Sequence, residues 1–452
     1  METTKKTKEM DMLNGGLAGK LILFSIPLAF SSILQQLFNS ADVAVVGRFA
    51  GDRALAAVGS CVALVGIFVN LIVGFSVGPN AVLANLIGQK RRDKINRMLH
   101  TIMAFGLIAG VILMGLGMLS AKPILEVSGT PESVMNEALL YIRIYFIGIP
   151  FMMIYNFGSA VLRSFGDTRR PMYYLILSGT VNVILNLILV IYFKLGVAGV
   201  AIATVISNIL SAGLVLIYLY RREDEFQFRP QRLHIEKEDL KKVLVIGIPA
   251  GIQSTVINFS NVLLQSSVNS FGSVAMAGYT AANNIFGFLY TSVNSVTQAC
   301  MSFTSQNYGV KKTKRMDRVL VDCIILSILI ATVMGGAFYV FGPQILSVYN
   351  KEPDVIKSGM EILSFTTLTY FLCGIMDLFP GAMRGMGRSG VPMILSIIGT
   401  VGTRIFWIYV VFPRNRALDV LFISYPVSWG LTIAMQVCCF IIVRRKVHRE
   451  IQ

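Results

Sequence analysis

Twelve runs of mostly apolar residues, each long enough to cross a bilayer as a helix, fill the 452-residue chain. They fall near 18–45, 54–80, 98–120, 134–160, 172–193, 197–220, 243–268, 274–300, 319–342, 355–383, 391–412 and 418–443. About 20 apolar residues at roughly 1.5 Å each cover the hydrocarbon core of a membrane. Inside lipid every backbone polar group needs a partner, and runs this long and continuous suit helices rather than barrel strands. Charged residues are only 14% of the chain, against about a quarter in soluble domains. The expected fold class is an all-α polytopic membrane protein with twelve transmembrane helices.

A formal net charge of +16 would suit a nucleic-acid partner, but its distribution suits a membrane better. Numbering the runs as spans 1 to 12, the two termini and the loops after even-numbered spans, with Lys20 at the start of span 1, hold 30 of the 40 Lys and Arg residues. The loops after odd-numbered spans and the adjoining start of span 10 hold eight: Arg48, Arg53, Lys122, Lys194, Lys351, Lys357, Arg414 and Arg416. By the positive-inside rule both termini are cytoplasmic. The expected location is a plasma (inner) membrane, crossed many times, with the basic excess facing anionic membrane lipids. The basic loops GQKRRDKINR and GVKKTKRMDR lack interleaved aromatics, so no nucleic-acid partner is expected. The N-terminal METTKKTKEMDML has no cleavable apolar region, so span 1 serves as its own insertion signal. The six cysteines show no metal or disulfide spacing and read as small buried hydrophobes.

Three pairs of segments repeat at nearly one offset. SIPLAFSSI (25–33) matches GIPAGIQST (247–255) at 222 residues. GQKRRDKINRML (88–99) matches GVKKTKRMDRVL (309–320), and LRSFGDTRRPM (162–172) matches MRGMGRSGVPM (383–393), both at 221. The chain therefore divides into a cytoplasmic tail 1–17, an N-lobe 18–221, a polar linker 222–242, a C-lobe 243–444 and a second cytoplasmic tail 445–452. The lobes are pseudo-symmetric, with six helices each. An even number of spans per half makes the repeat parallel, and paired halves of this kind place a substrate pathway at the repeat interface. Prolines 27, 79, 150, 249, 380 and 426 fall inside spans, where each frees a carbonyl and bends the axis.

Catalysis finds no support. His100, His234 and His448 are far apart, and HExxH, CxxC, P-loop and GxSxG motifs are absent; no enzyme and no cofactor are expected. Without a nucleotide site, work would come from an ion gradient. Gln35, Asn39 and Asp42 fall at i, i+4 and i+7, on one face of span 1. Asn182 and Asn186 are four apart in span 5, and Thr204 follows in span 6. Asp377 is the intramembrane acid of the second half, and its first-half counterpart is Asn156. An intramembrane carboxylate costs roughly 2.5–3.5 kcal/mol on insertion scales, so Asp42 is either a coupling group or a cap at the outer end of span 1. Arg143 and Arg404, inside spans, read as snorkelling or paired residues.

LFNSADVAVVGRFAGDRALAAVG (37–59), LRSFGDTRRPMYYLILSGTVNVILNLILV (162–190), LGVAGVAIATVIS (195–207) and the second-half copies around MRGMGRSGVP resemble the multidrug and toxic compound extrusion (MATE) family. The resemblance spans about residues 17–444. It implies a secondary antiporter exporting small, often cationic amphipathic compounds in exchange for H+ or Na+, by rocking of two six-helix lobes. It implies ion coupling at Asp42, with Gln35, Asn182, Asn186, Thr204 and Tyr141 in the same N-lobe site. With the polar residues read from spacing and repeat, the expected substrate cleft draws on Gln35, Asn39, Tyr141, Asn156 and Asp377. Some members carry an acid where this chain has Asn186, which leaves either Na+ or H+ at Asp42. Others carry a Glu in span 7, where IPAGIQSTVINFSNVLLQ (248–265) has no acid. The expected state is a monomer acting on small molecules. The rival readings are a flippase for a lipid-linked precursor, which would need a basic cleft, and a passive channel.

Overall fold

Helices make up the regular structure of the computed structural model, which describes residues 9–451. The first eight residues of the expected cytoplasmic tail and Gln452 lie outside the described residues. Nine helices among the described residues are long and apolar enough to cross a membrane. They supply span 1 (Ala18–Ala50), span 2 (Asp52–Gly88), span 3 (Arg92–Val127), span 5 (Arg169–Tyr192), span 6 (Gly196–Tyr220), span 7 (Lys237–Asn269), span 9 (Thr313–Val340), span 11 (Gly390–Arg414) and span 12 (Leu418–Glu450). Span 4 (Glu132–Ile147 with Ile149–Ser164) and span 10 (Pro353–Thr367 with Tyr370–Gly385) pass only as bent pairs, at 42° and 46°.

The run at 274–300 forms Ser273–Gly309, span 8. It is long enough to cross but more polar than the others. Ser292, Ser295, Thr297, Ser302, Thr304, Ser305, Gln306 and Asn307 are all buried on it. A helix surrounded by protein needs less apolar surface than one facing lipid, which accounts for its composition.

Local chemistry explains the two bends. Span 4 breaks at Gly148, two residues before Pro150, whose missing N–H removes one hydrogen bond of the ladder. Span 10 breaks at 368–369, far from Pro380. There Thr366, Thr367 and Thr369 each return a hydroxyl to the carbonyl four residues back, at 2.6–2.8 Å. Such back-bonding bends helices.

The backbone records the repeat. Gly51 and Gly272, Gly166 and Gly387, and Lys90 and Lys311 are paired at 221 residues, and all six have positive φ. The lysine pair is the more telling, because a left-handed non-glycine residue costs roughly 1–2 kcal/mol and both copies keep it after the same helix. Packing repeats too: span 4 packs on spans 2, 3 and 6, and span 5 on span 6. Likewise span 10 packs on spans 8, 9 and 12, and span 11 on span 12.

By internal packing the chain divides into two units. Unit 1 holds Phe30–Gly251 with the segment up to Met10, and unit 2 holds Asp11–Ala29 with the chain from Ile252 onward. In unit 1 the 222–236 stretch is tied to span 3. Asn96 Nδ2 donates to the carbonyls of Glu225 and Gln227, at 3.1 and 3.0 Å. The Arg229 N–H donates to His100 Nε2 at 3.1 Å, and Arg97 pairs with Asp239 at 2.9 Å. In unit 2 an apolar cluster around Tyr279, Leu289, Tyr370, Phe422 and Trp429 forms the core.

Candidate functional site

Spans 1, 5 and 6 bring four of the sequence-derived positions together in unit 1. Asp42 Oδ1 accepts a hydrogen bond from Asn186 Nδ2 at 2.5 Å. Asn186 Nδ2 also reaches Asn182 Oδ1 at 3.3 Å, and Asn182 Nδ2 reaches Thr204 Oγ1 at 3.4 Å. Thr204 in turn donates to the Val200 carbonyl at 3.0 Å. The result is a relay from carboxylate to amide to amide to hydroxyl. It follows from sequence spacing: residues four apart on span 5 share a face, so Asn182 and Asn186 stack one turn apart.

Burial makes this relay consequential. Asn186 is fully buried and Asn182 is 5% exposed, while Asp42 is half-buried. Asn186 Oδ1 has no hydrogen-bond partner. A buried amide oxygen without a donor is costly, and a proton or cation held beside Asp42 would satisfy it. Among the described residues no three His, Cys, Asp or Glu side chains converge. A cation here would meet one carboxylate and several neutral oxygens. Tyr141 and Tyr145, both buried with ring centres 6.1 Å apart, lie within electrostatic range of Asp42.

The expected cleft residues are placed differently. Gln35 and Asn39 are exposed, and no hydrogen bond joins either to Asp42. Asn156 is half-buried and donates to the Met152 carbonyl of its own helix at 2.9 Å. Asp377 belongs to unit 2, within electrostatic range of Tyr290, Tyr370, Cys373 and Arg384.

Span ends drawn at 160 and 383 put Arg163 and Arg384 in loops. The helices instead run on to Ser164 and Gly385, so both arginines ride on the last turns. Arg384 Nη2 donates to Gln253 Oε1 at 2.6 Å. Arg143 is exposed, whereas Arg404 is 3% exposed and bonded to Ser260 and Asn261 of span 7. Span 7 thus has amides and a hydroxyl facing arginines. The sequence reading did not pair these groups, although the repeat offset carried from Asn39 in span 1 would have pointed to Asn261 in span 7.

Comparison with known proteins settles the family. The MatE family model matches the chain twice, over 27–188 and 249–410. The chain belongs to the MATE family. The two MatE matches stand 222 residues apart, in keeping with the internal repeat. The "Probable multidrug resistance protein YoeA" of Bacillus subtilis is 30% identical over 422 residues, 91% of each chain. The "Multidrug export protein MepA" of Staphylococcus aureus is 23% identical over 417 residues, covering 92% of this chain and 90% of that one. In fold, this MATE transporter is similar to a MATE crystallised in complex with MaL6, with a TM-score of 0.89, 21% identity and 98% of each chain covered. It is similar also to the outward-facing conformation of a multidrug resistance MATE transporter, with a TM-score of 0.88 and 21% identity.

Proposed function

We propose that this MATE transporter exports small, often cationic and amphipathic compounds in exchange for H+ or Na+. In this reading it works as a monomer in a plasma (inner) membrane with both termini in the cytoplasm. The observation that carries the reading is the Asp42–Asn186–Asn182–Thr204 relay, with one carboxylate and an unsatisfied amide oxygen beside it. The relatives named for multidrug resistance and export support the substrate class.

Exchange at this site is competition for one charge. Ionised, Asp42 accepts the Asn186 N–H and is ready for a cation. Neutralised by H+ or Na+, it no longer needs that donor, and rotation of the Asn186 amide would present Oδ1 to the bound cation. One carboxylate offsets one positive charge at this site. The N-lobe 18–221 and C-lobe 243–444 would rock about the linker 222–242. Outward-open, the ion loads and the compound leaves; inward-open, the ion leaves and a new compound binds.

The test is transport in proteoliposomes with pH and sodium gradients imposed separately. Asp42→Asn keeps the shape and removes the titrating charge, and gradient-driven efflux is expected to fall at least tenfold. An unchanged rate would remove Asp42 from the coupling role.

A further inference from the structure

Unit 2 holds a second site built from the same spans of the repeat, with its charge inverted. Arg404 on span 11 is 3% exposed. Its Nη1 donates to Asn261 Oδ1 at 2.8 Å and Ser260 Oγ at 3.2 Å, both on span 7. Its guanidinium carbon lies 4.4 Å from the centre of the Tyr425 ring on span 12. Spans 7, 11 and 12 are the second copies of spans 1, 5 and 6, which hold the Asp42 relay.

The correspondence extends to single residues. In the 222-residue register of the two matched segments, Asn261 stands opposite Asn39 and Arg404 opposite Asn182. Backbone irregularity marks the position too. Arg404 sits on the short α-helical stretch Thr403–Phe406, between π-helical turns at Ile397–Gly402 and Trp407–Val411. Such turns recur at functional sites.

An arginine stays charged in a protein, and a buried charge without a counter-charge is strongly unfavourable. Among the described residues no carboxylate pairs with Arg404 within 4 Å. Its neighbours are a hydroxyl, an amide and a ring, and Nε has no acceptor. The half-buried Asn261 marks the approach to the group. We propose that Arg404 is the receptor of a small monoanion site in unit 2, taking a halide or the carboxylate of a transported compound. Ser260 and Asn261 fix the guanidinium through Nη1, and the Nε edge is left for the anion.

This inference rests on the antiporter reading only where the anion belongs to a transported compound. The experiment uses the purified full chain in detergent, at constant sodium and ionic strength, with chloride, bromide or acetate replacing a bulky organic sulfonate. The thermal unfolding midpoint is expected to rise saturably with the small anion. In Arg404→Gln the apparent dissociation constant is expected to weaken at least tenfold, and Arg404→Lys, which keeps the charge, is expected to keep part of the response. A response to acetate alone assigns the site to carboxylates; a response to halides assigns it to small inorganic anions. No saturable response in the unaltered protein, or an equal response in Arg404→Gln, overturns the proposal. The readout is equilibrium binding, so its failure leaves the coupling role of Asp42 untouched.

Discussion

Asn186 joins the two chemical needs of the Asp42 site on a single amide: it donates to the carboxylate and leaves an oxygen over. Replacing it by Asp adds a second carboxylate, which favours a metal cation over a lone proton. Asn186→Asp is expected to make efflux more sodium-dependent, read as the ratio of sodium-driven to proton-driven rates in proteoliposomes. Asn186→Ala strands the carboxylate and is expected to cost about 1–3 kcal/mol, measured by thermal unfolding. Most of that penalty should vanish when Asp42→Asn is combined with it, since a neutral amide tolerates the lost donor. The relay was largely legible in the sequence, because Asn182 and Asn186 are neighbours by helical spacing and Asp42 is a lone acid in an apolar run. The Arg404 cluster was not legible from spacing, since Ser260 and Asn261 lie more than 140 residues from it and meet it only by tertiary packing.

Helix contacts beside the site are tight enough to test element by element. A methyl group at Gly179 of span 5 would lie 2.0 Å from the Phe38 ring of span 1. Gly179→Ala is expected to destabilise by about 1–3 kcal/mol, and trimming Phe38 to Leu in the same chain should recover most of it. Both are read as unfolding midpoints in detergent. The stretch after span 6 depends on Asn96, which holds two carbonyls at once. Asn96→Ala is expected to speed proteolytic nicking within 222–236. Where the helices run was plain from hydrophobic runs; where they bend was not. The span 4 break announces itself by Gly148 and Pro150, but the span 10 break comes from threonine hydroxyls bonding backwards, and threonine is too common in helices to flag it. Pro380, the residue that sequence reading would have chosen, sits in an unbroken helix.

Across the whole chain the strongest signals are sums rather than contacts. The repeat and the asymmetry of Lys and Arg survive any error in a single boundary, which is why both could be read without coordinates. The asymmetry makes a topological prediction. In a background without native cysteines, Lys194→Cys and Arg416→Cys should react with an impermeant maleimide added to intact cells. Arg92→Cys and Lys314→Cys should react only after the cells are opened. All four positions are exposed, so accessibility reports sidedness and not burial.

The π turns give the repeat a history. An extra residue in an α-helix ordinarily rotates everything beyond it by about 100°, yet a π turn absorbs that residue locally. Span 1 ends in such a turn, Val46–Ala50, and its partner span 7 has none. Beyond it the offset between copies drops from 222 to 221. Span 11 carries Ile397–Gly402 where span 5 is plain α-helix, and beyond it the matched segments close again at 222. After a gene duplication, one codon gained in each copy would leave this pattern, and in each case it lies within a few residues of the ionisable group that distinguishes that copy.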